Sequence, residues 1–294
     1  MMGLTNRQMG IAQIILSGVC FGFLGFFGKS AYAFGIKPGE LLALRYFISA
    51  ILTLLLILIT NRDSLIKLTR FEIISSLMLG IFGYALFSSF FFLALSGLSA
   101  SLTVLLLYTY PVMVMILSHY LLKEYITKSG VLALITATIG MTMLVWGEWS
   151  VSNPSYLLFG IGAAFFYALY IIYSHRFLKN TPALPSSFYV QLGAGVVLSL
   201  IHFGSNPNRP INILSEHFVF IISMAVLCSL MAMSLFLAGL QKITSTEASI
   251  LSTTEPISGV IIATVLLHEK ISFFQLTGGL LILVGMILCA RRSS

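Results

Sequence analysis

Ten stretches of the chain are almost continuously apolar and are separated by short polar turns: residues 9–34, 39–60, 71–95, 98–122, 129–147, 155–178, 185–203, 216–240, 245–267 and 273–290. Each approaches the roughly 20 residues that a helix needs to cross the hydrocarbon core of a bilayer. None alternates apolar and polar residues at the period of two that a barrel strand requires, so the pattern predicts helices. Turns as short as Ser96-Gly97-Leu98-Ser99-Ala100 make neighbouring helices antiparallel and adjacent. The longest links are 61–70 and 204–215, and the second, rich in Asn, Pro and Ser, is the candidate for a partial lid. The expected fold is an all-α membrane protein with ten transmembrane helices.

Landmarks recur at an offset of 145 residues. Pro111 matches Pro256, Glu124 matches Glu269, Gly140 matches Gly285, and residues 121–126 (LLKEYI) match 266–271 (LLHEKI). The same register pairs Gly22 with Tyr167 and Ala133 with Gly278. Each copy holds five spans, and an odd number of crossings inverts the second copy relative to the first. The chain thus divides into two inverted five-helix repeats, 1–148 and 149–294, forming one membrane unit. Inverted repeats are a common transporter architecture, with the site at the repeat interface near the bilayer midplane.

Composition agrees with the pattern: 58% of residues are hydrophobic and 9% are charged. The net charge of +7 could suggest nucleic acid, but the placement of the basic residues gives it another meaning. With the N-terminus inside, the inner segments hold Arg7, Arg62, Lys67, Arg70, Lys123, Lys128, Arg176, Lys179, Lys242, Arg291 and Arg292, and the outer loops only Lys37, Arg209 and Lys270. Eleven against three is a positive-inside asymmetry that predicts both termini on the cytoplasmic face of the inner membrane and no nucleic-acid partner. Cys20, Cys228 and Cys289 are scattered within spans and offer neither a disulfide framework nor metal spacing. The first apolar run lacks a small-residue cleavage site and reads as the first span, not as a signal peptide.

Helix packing and a substrate site compete for the small residues. Gly18, Gly22, Gly25 and Gly28 share one face of the first span, which suits either role. Ala133, Ala137 and Gly140 on the fifth span, and Gly278 and Gly285 at two matching positions on the tenth, are expected to serve helix packing. Ser245, Ser249, Ser252, Pro256, Gly259 and Ala263 form a similar face on the ninth. Pro111 and Pro256 lie midway along the fourth and ninth spans, each behind a polar cluster, Tyr108-Thr109-Tyr110 and Thr253-Thr254-Glu255. A proline loosens the carbonyl four residues earlier, and free backbone at that depth must be buried in protein or line a cavity. The pair is therefore a candidate hinge or gate.

Glu255 is the one acid near the centre of a span, where an unpaired charge costs at least about 2.5–3.5 kcal/mol, so it should face the interior and is a candidate proton carrier. Tyr84, Tyr108, Tyr110, Tyr167 and Tyr170, at mid-span depths, are candidates with Thr253 and Glu255 for substrate contact, since each phenol there needs a partner. Two cations lie within spans. Lys29 is expected to snorkel to the outer interface, and Arg45, one turn after Glu40, to brace helices; either could meet an anionic group. Glu124 and Glu269 close the fourth and ninth spans and are expected to pair with the adjacent Lys123 and Lys270, gating being the alternative. His119 and His175 read as interfacial.

The segment 248–256 (ASILSTTEP), continued by 266–272 (LLHEKIS) and Gly278-Gly279, resembles the second-repeat signature of EamA-type members of the drug/metabolite transporter superfamily. Pro111 with Leu122-Lys123-Glu124 resembles the first-repeat copy, and 42–47 (LALRYF) the start of the second span. The resemblance covers nearly the whole chain. It implies a central cavity lined by spans one, three, four, six, eight and nine, and small-metabolite substrates, amino acids among them. The small multidrug pumps of the superfamily carry a glutamate in their first span. This chain has none there, which argues against drug–proton antiport.

The expected function is secondary transport of an amino acid or amino-acid-like compound by alternating access, without cofactor or metal, the expected partners being a small-molecule substrate and the lipid bilayer. Alternatives are a channel or exchanger for a nucleoside or sugar derivative. An intramembrane enzyme would need a nucleophile–base pair or metal cluster at one depth, and His119, His175, His202, His217 and His268 lie near span ends or in loops.

Overall fold

The computed structural model describes residues 5–147 and 151–291. Its ten long helices are α1 (Asn6–Ala33), α2 (Pro38–Thr60), α3 (Arg70–Leu95), α4 (Ala100–Leu122), α5 (Lys128–Leu144), α6 (Ser155–Leu178), α7 (Ala183–Phe203), α8 (Arg209–Leu240), α9 (Ser245–Leu267) and α10 (Phe273–Ala290). Nine are long and apolar enough to span a membrane; α5, at 17 residues, is shorter than the expected 129–147. Glu148, within the expected boundary between repeats, and Arg292, counted among the inner cations, lie outside the described residues.

Local sequence fixes where the helices begin. Thr5, Thr69, Thr244 and Ser272 cap α1, α3, α9 and α10 in reciprocal capping boxes with Gln8, Glu72, Glu247 and Gln275. The ends of α4 and α9 turn the same way: Lys123 and His268, equivalent in the two repeats, are left-handed with φ of 58° and 56°. Both are non-glycine residues held in a sparsely populated region, and both position the glutamate that follows.

The expected outer loop 204–215 is corrected. Helix α8 already begins at Arg209, with Pro210 in its first turn, where a missing N–H costs nothing. Ile213 is buried there, and Arg209 Nε reaches Glu40 Oε1 on α2 at 3.2 Å. Apolar anchors and this ion pair override the loop-like composition, and the backbone breaks instead at His217, with φ of −129° and ψ of 34°.

Packing follows the repeat. Helix α5 packs on its own copy α10, and α2 on its copy α7; the contact of α1 with α8 has its counterpart in α6 with α3, and that of α1 with α9 in α6 with α4. This exchange is what a two-fold relation between inverted halves produces. The small residues of α5 and α10 bring these two helices together: a Cβ on Gly278 would lie 2.5 Å from the Gly140 carbonyl oxygen, and one on Gly285 2.8 Å from that of Ala133. Close backbone approach replaces the hydrophobic drive that lipid does not supply.

Candidate functional site

Four irregularities converge on the centre of the bundle. Helices α4 and α9 are interrupted just before their prolines, at Tyr108-Thr109 and Ser252-Thr253, so Pro111 and Pro256 each start a new helical run. Helices α3 and α8 widen into π-helical turns at Leu79–Ala85 and Val226–Met231, which overlap when the 145-residue offset is applied. Such turns are rare and concentrate at functional sites. Periodicity does not reveal them, because one extra residue per turn leaves an apolar span apolar.

The π turn of α3 projects Tyr84 into an aromatic box. Its ring centroid lies 5.5 Å from that of Tyr46, 4.7 Å from Tyr170, 6.2 Å from Tyr167 and 5.4 Å from Phe87. Tyr110 stands 4.7 Å from Tyr167, and Tyr108 5.7 Å from Tyr110. All five tyrosines expected to contact substrate thus meet in one buried cluster. Thr253 is buried beside it; its hydroxyl donates to the Ile250 carbonyl at 2.6 Å, and with Tyr108 and Pro111 it borders a void of about 10 Å³, the size of one water. Glu255 keeps partial exposure at mid-span and has Tyr108 as its hydrogen-bonding neighbour.

Where α6 carries tyrosines the first repeat has glycines. The offset carries Gly22, Gly25 and Gly28 of α1 onto Tyr167, Tyr170 and Tyr173 of α6. The glycine stripe divides into two parts. A Cβ at Gly18 would come within 2.9 Å of Thr254 Cβ, and one at Gly22 within 2.6 Å of Ser258 Cβ, so this half packs on α9. At Gly25 and Gly28 a Cβ would meet nothing within 4 Å, so the other half borders open space.

Glu40 pairs with Arg209, and Arg45 has no carboxylate partner among the described residues. Its side chain is 3% exposed, Nη2 donates to the Tyr46 hydroxyl, the guanidinium carbon sits 4.3 Å from the Tyr46 ring centroid, and Nε lacks a partner. Its charge is near enough to act on Tyr84 and Glu255. A buried cation without a counter-ion is costly, and at membrane depth such groups mark ligand or ion pathways.

The two sides of the bundle differ. On the side bearing the basic residues, α4 and α9 are locked: Ser118 Oγ and Thr246 Oγ1 are 2.9 Å apart, and the Tyr110 hydroxyl donates to the Ser249 carbonyl at 3.4 Å. Arg7 bridges Glu247 at 2.6 Å and also donates to the Ala290 carbonyl at 2.9 Å. Beyond this seal lies a vestibule of about 1230 Å³. His175, expected to be interfacial, faces it and bonds the Leu240 carbonyl through Nδ1 at 2.9 Å; His119 bonds the Glu124 carbonyl at 3.0 Å. On the opposite side a cavity of about 380 Å³ runs from Lys29, Ser101 and Glu269 down to Pro256 and Gly259.

Lys29 does not snorkel freely but pairs with Glu269, an exposed contact worth roughly 0–1 kcal/mol. The expected pairing of Glu124 with Lys123 and of Glu269 with Lys270 does not occur among the described residues. Glu124 reaches instead across the repeat boundary to the first turn of α9.

A buried aromatic box at the interface of inverted repeats, with contacts closing the basic side and a separate cavity on the other, is the arrangement expected of a membrane transporter. The chain belongs to the EamA-like transporter family, whose model matches residues 8–146 and 154–291, and with it to the drug/metabolite transporter superfamily. It is similar to the uncharacterized transporter YyaM of Bacillus subtilis, 26% identical over 89% of this chain and 87% of the relative. It is also similar to the uncharacterized inner membrane transporter YicL of Salmonella typhimurium, 25% identical over 99% of this chain and 98% of the relative. A crystal structure 17% identical in sequence superposes with a TM-score of 0.79 over 95% of each chain and shows the same fold.

Proposed function

We propose that the protein carries an amino acid or amino-acid-like metabolite across the inner membrane by alternating access, with its basic side in the cytoplasm. One observation carries the substrate class: a guanidinium, Arg45, and a carboxyl group, Glu255, neither in an ion pair among the described residues, border one tyrosine box. A zwitterion supplies the missing partner to each, its carboxylate to Arg45 and its ammonium to Glu255, while Tyr84, Tyr108, Tyr110, Tyr167, Tyr170 and Thr253 shape the wall. A few polar groups on an aromatic lining are the usual make-up of a small-molecule site. The breaks at Pro111 and Pro256 are the flexing points between the two openings. The eleven-to-three asymmetry in basic residues supports the orientation, and the inner-membrane name of the Salmonella relative supports the membrane. The substrate passes unchanged, and Glu255 is the group available for proton coupling.

Purified protein is screened by thermal shift against amino acids, nucleosides and sugars, because a ligand that binds the folded state raises its melting temperature. Amino acids should raise it, and E255Q should remove that shift and the uptake into proteoliposomes while the protein still inserts. Stabilisation by nucleosides or sugars alone would overturn the substrate class. Flux that does not saturate and shows no counterflow would make the protein a channel.

A further inference from the structure

Glu124 and Glu269 occupy equivalent positions but hold different partners. Glu124 Oε1 accepts from the Ser245 backbone N–H at 2.9 Å, and Oε2 accepts from the Thr246 N–H at 3.3 Å and its hydroxyl at 3.1 Å. Glu124, at the end of α4, thereby caps the start of α9. The register carries Ser245 and Thr246 onto Ala100 and Ser101. The equivalent cap on the other side would therefore be Glu269 on the N–H groups of Ala100 and Ser101 and on the Ser101 hydroxyl. That cap is not made: Ser101 and Glu269 both border the open cavity, and Glu269 pairs with Lys29. The sealed side also has a tie that the other side cannot copy: Ser118 meets Thr246 at 2.9 Å, whereas Ala263, the equivalent of Ser118, has no hydroxyl and borders the cavity with Ser101.

We propose that Glu124 and Glu269 are the two latches of the transport cycle, each capping the first turn of the other repeat's broken helix when its own side is closed, with one engaged at a time. The structure is the state in which Glu124 is engaged and Glu269 is parked on Lys29. The chemistry of capture is the same at both ends. The first turn of a helix offers unsatisfied N–H groups and a partial positive charge, and a carboxylate answers both. The left-handed residues Lys123 and His268 turn each glutamate off its own helix. The parked pair is exposed and therefore weak, so Glu269 is free to leave it when α4 and α9 approach on that side. Serine and threonine hydroxyls at 101 and 246 give both latches the same third donor. The carrier reading supplies the flux that these latches would govern, but the latch equilibrium exists without substrate.

The test uses a V104C reporter in the cavity and a membrane-impermeant maleimide; the native Cys20, Cys228 and Cys289 are buried. E124Q should lower reporter labelling by about tenfold, as the loss of charge-assisted hydrogen bonds shifts a two-state equilibrium by that order. K29Q, which frees Glu269, should lower it too. E269Q should leave labelling at the parent level while slowing substrate counterflow by about tenfold. The E124Q/E269Q double variant should recover labelling relative to E124Q, which a misfolded single variant could not do. Equal labelling in all variants, or a fall with E269Q like that with K29Q, overturns the latch. Because labelling needs no substrate, its result stands apart from that of the carrier reading, which fails on non-saturable flux of the parent protein.

Discussion

Replacing Arg45 by methionine separates a substrate-binding cation from a structural brace. The side chain is 3% exposed, with one hydrogen-bonding partner, the Tyr46 hydroxyl, and a guanidinium 4.3 Å from that ring's centroid. Methionine gives up a cation–π contact of about 0.5–2 kcal/mol and a charge-assisted hydrogen bond of about 1.5–3 kcal/mol. It also removes an ion whose effective burial penalty is several kcal/mol, and apolar replacement of buried charges is often neutral or stabilising. The companion Y46F prevents an orphaned hydroxyl. The net change for R45M/Y46F should lie between zero and about 2 kcal/mol in favour of the variant. At about 2–4 °C per kcal/mol for chains of this order, its melting temperature stays level or rises by up to about 8 °C. The amino-acid-induced thermal shift and proteoliposome uptake should both disappear. A variant that melts several degrees lower yet transports normally would refute the reasoning and make Arg45 a brace.

Three further outcomes follow from the packing. G278V places side-chain atoms against the Gly140 carbonyl, 2.5 Å from the nearest Cβ position, and should destabilise the α5–α10 seam by about 1–3 kcal/mol, read as a lower melting temperature. G25L enters open space, where a Cβ meets nothing within 4 Å, so melting should be unchanged while counterflow falls; unchanged counterflow would mean that this face is not on the pathway. P256A restores a hydrogen-bonding N–H near the break at Ser252-Thr253, so it should slow counterflow several-fold while leaving the ligand-induced thermal shift in place.

Span number, helix type and the relation between halves were legible in the sequence because each rests on a regularity of the chain itself. A twenty-residue apolar run can satisfy its backbone in lipid only as a helix or a closed barrel, and strict alternation was missing. The 145-residue register located Pro111 opposite Pro256 and Glu124 opposite Glu269, and depth along a span located the five tyrosines and Glu255. Partner choice was not legible. Glu40 turned to Arg209, 169 residues away, and not to Arg45 one turn along; Glu269 turned to Lys29, 240 residues away, and not to the adjacent Lys270. Charges compete for partners in three dimensions, and nearness in sequence is one weak bias among several. The π turns, which aim Tyr84 inward, were equally hidden, since a helix that gains a residue in one turn keeps its hydropathy. Conformation lay furthest from the sequence. Two related repeats specify two topologically equivalent ends, and only the folded bundle chooses which end is sealed, because both glutamates cannot hold their caps while α4 and α9 diverge on one side.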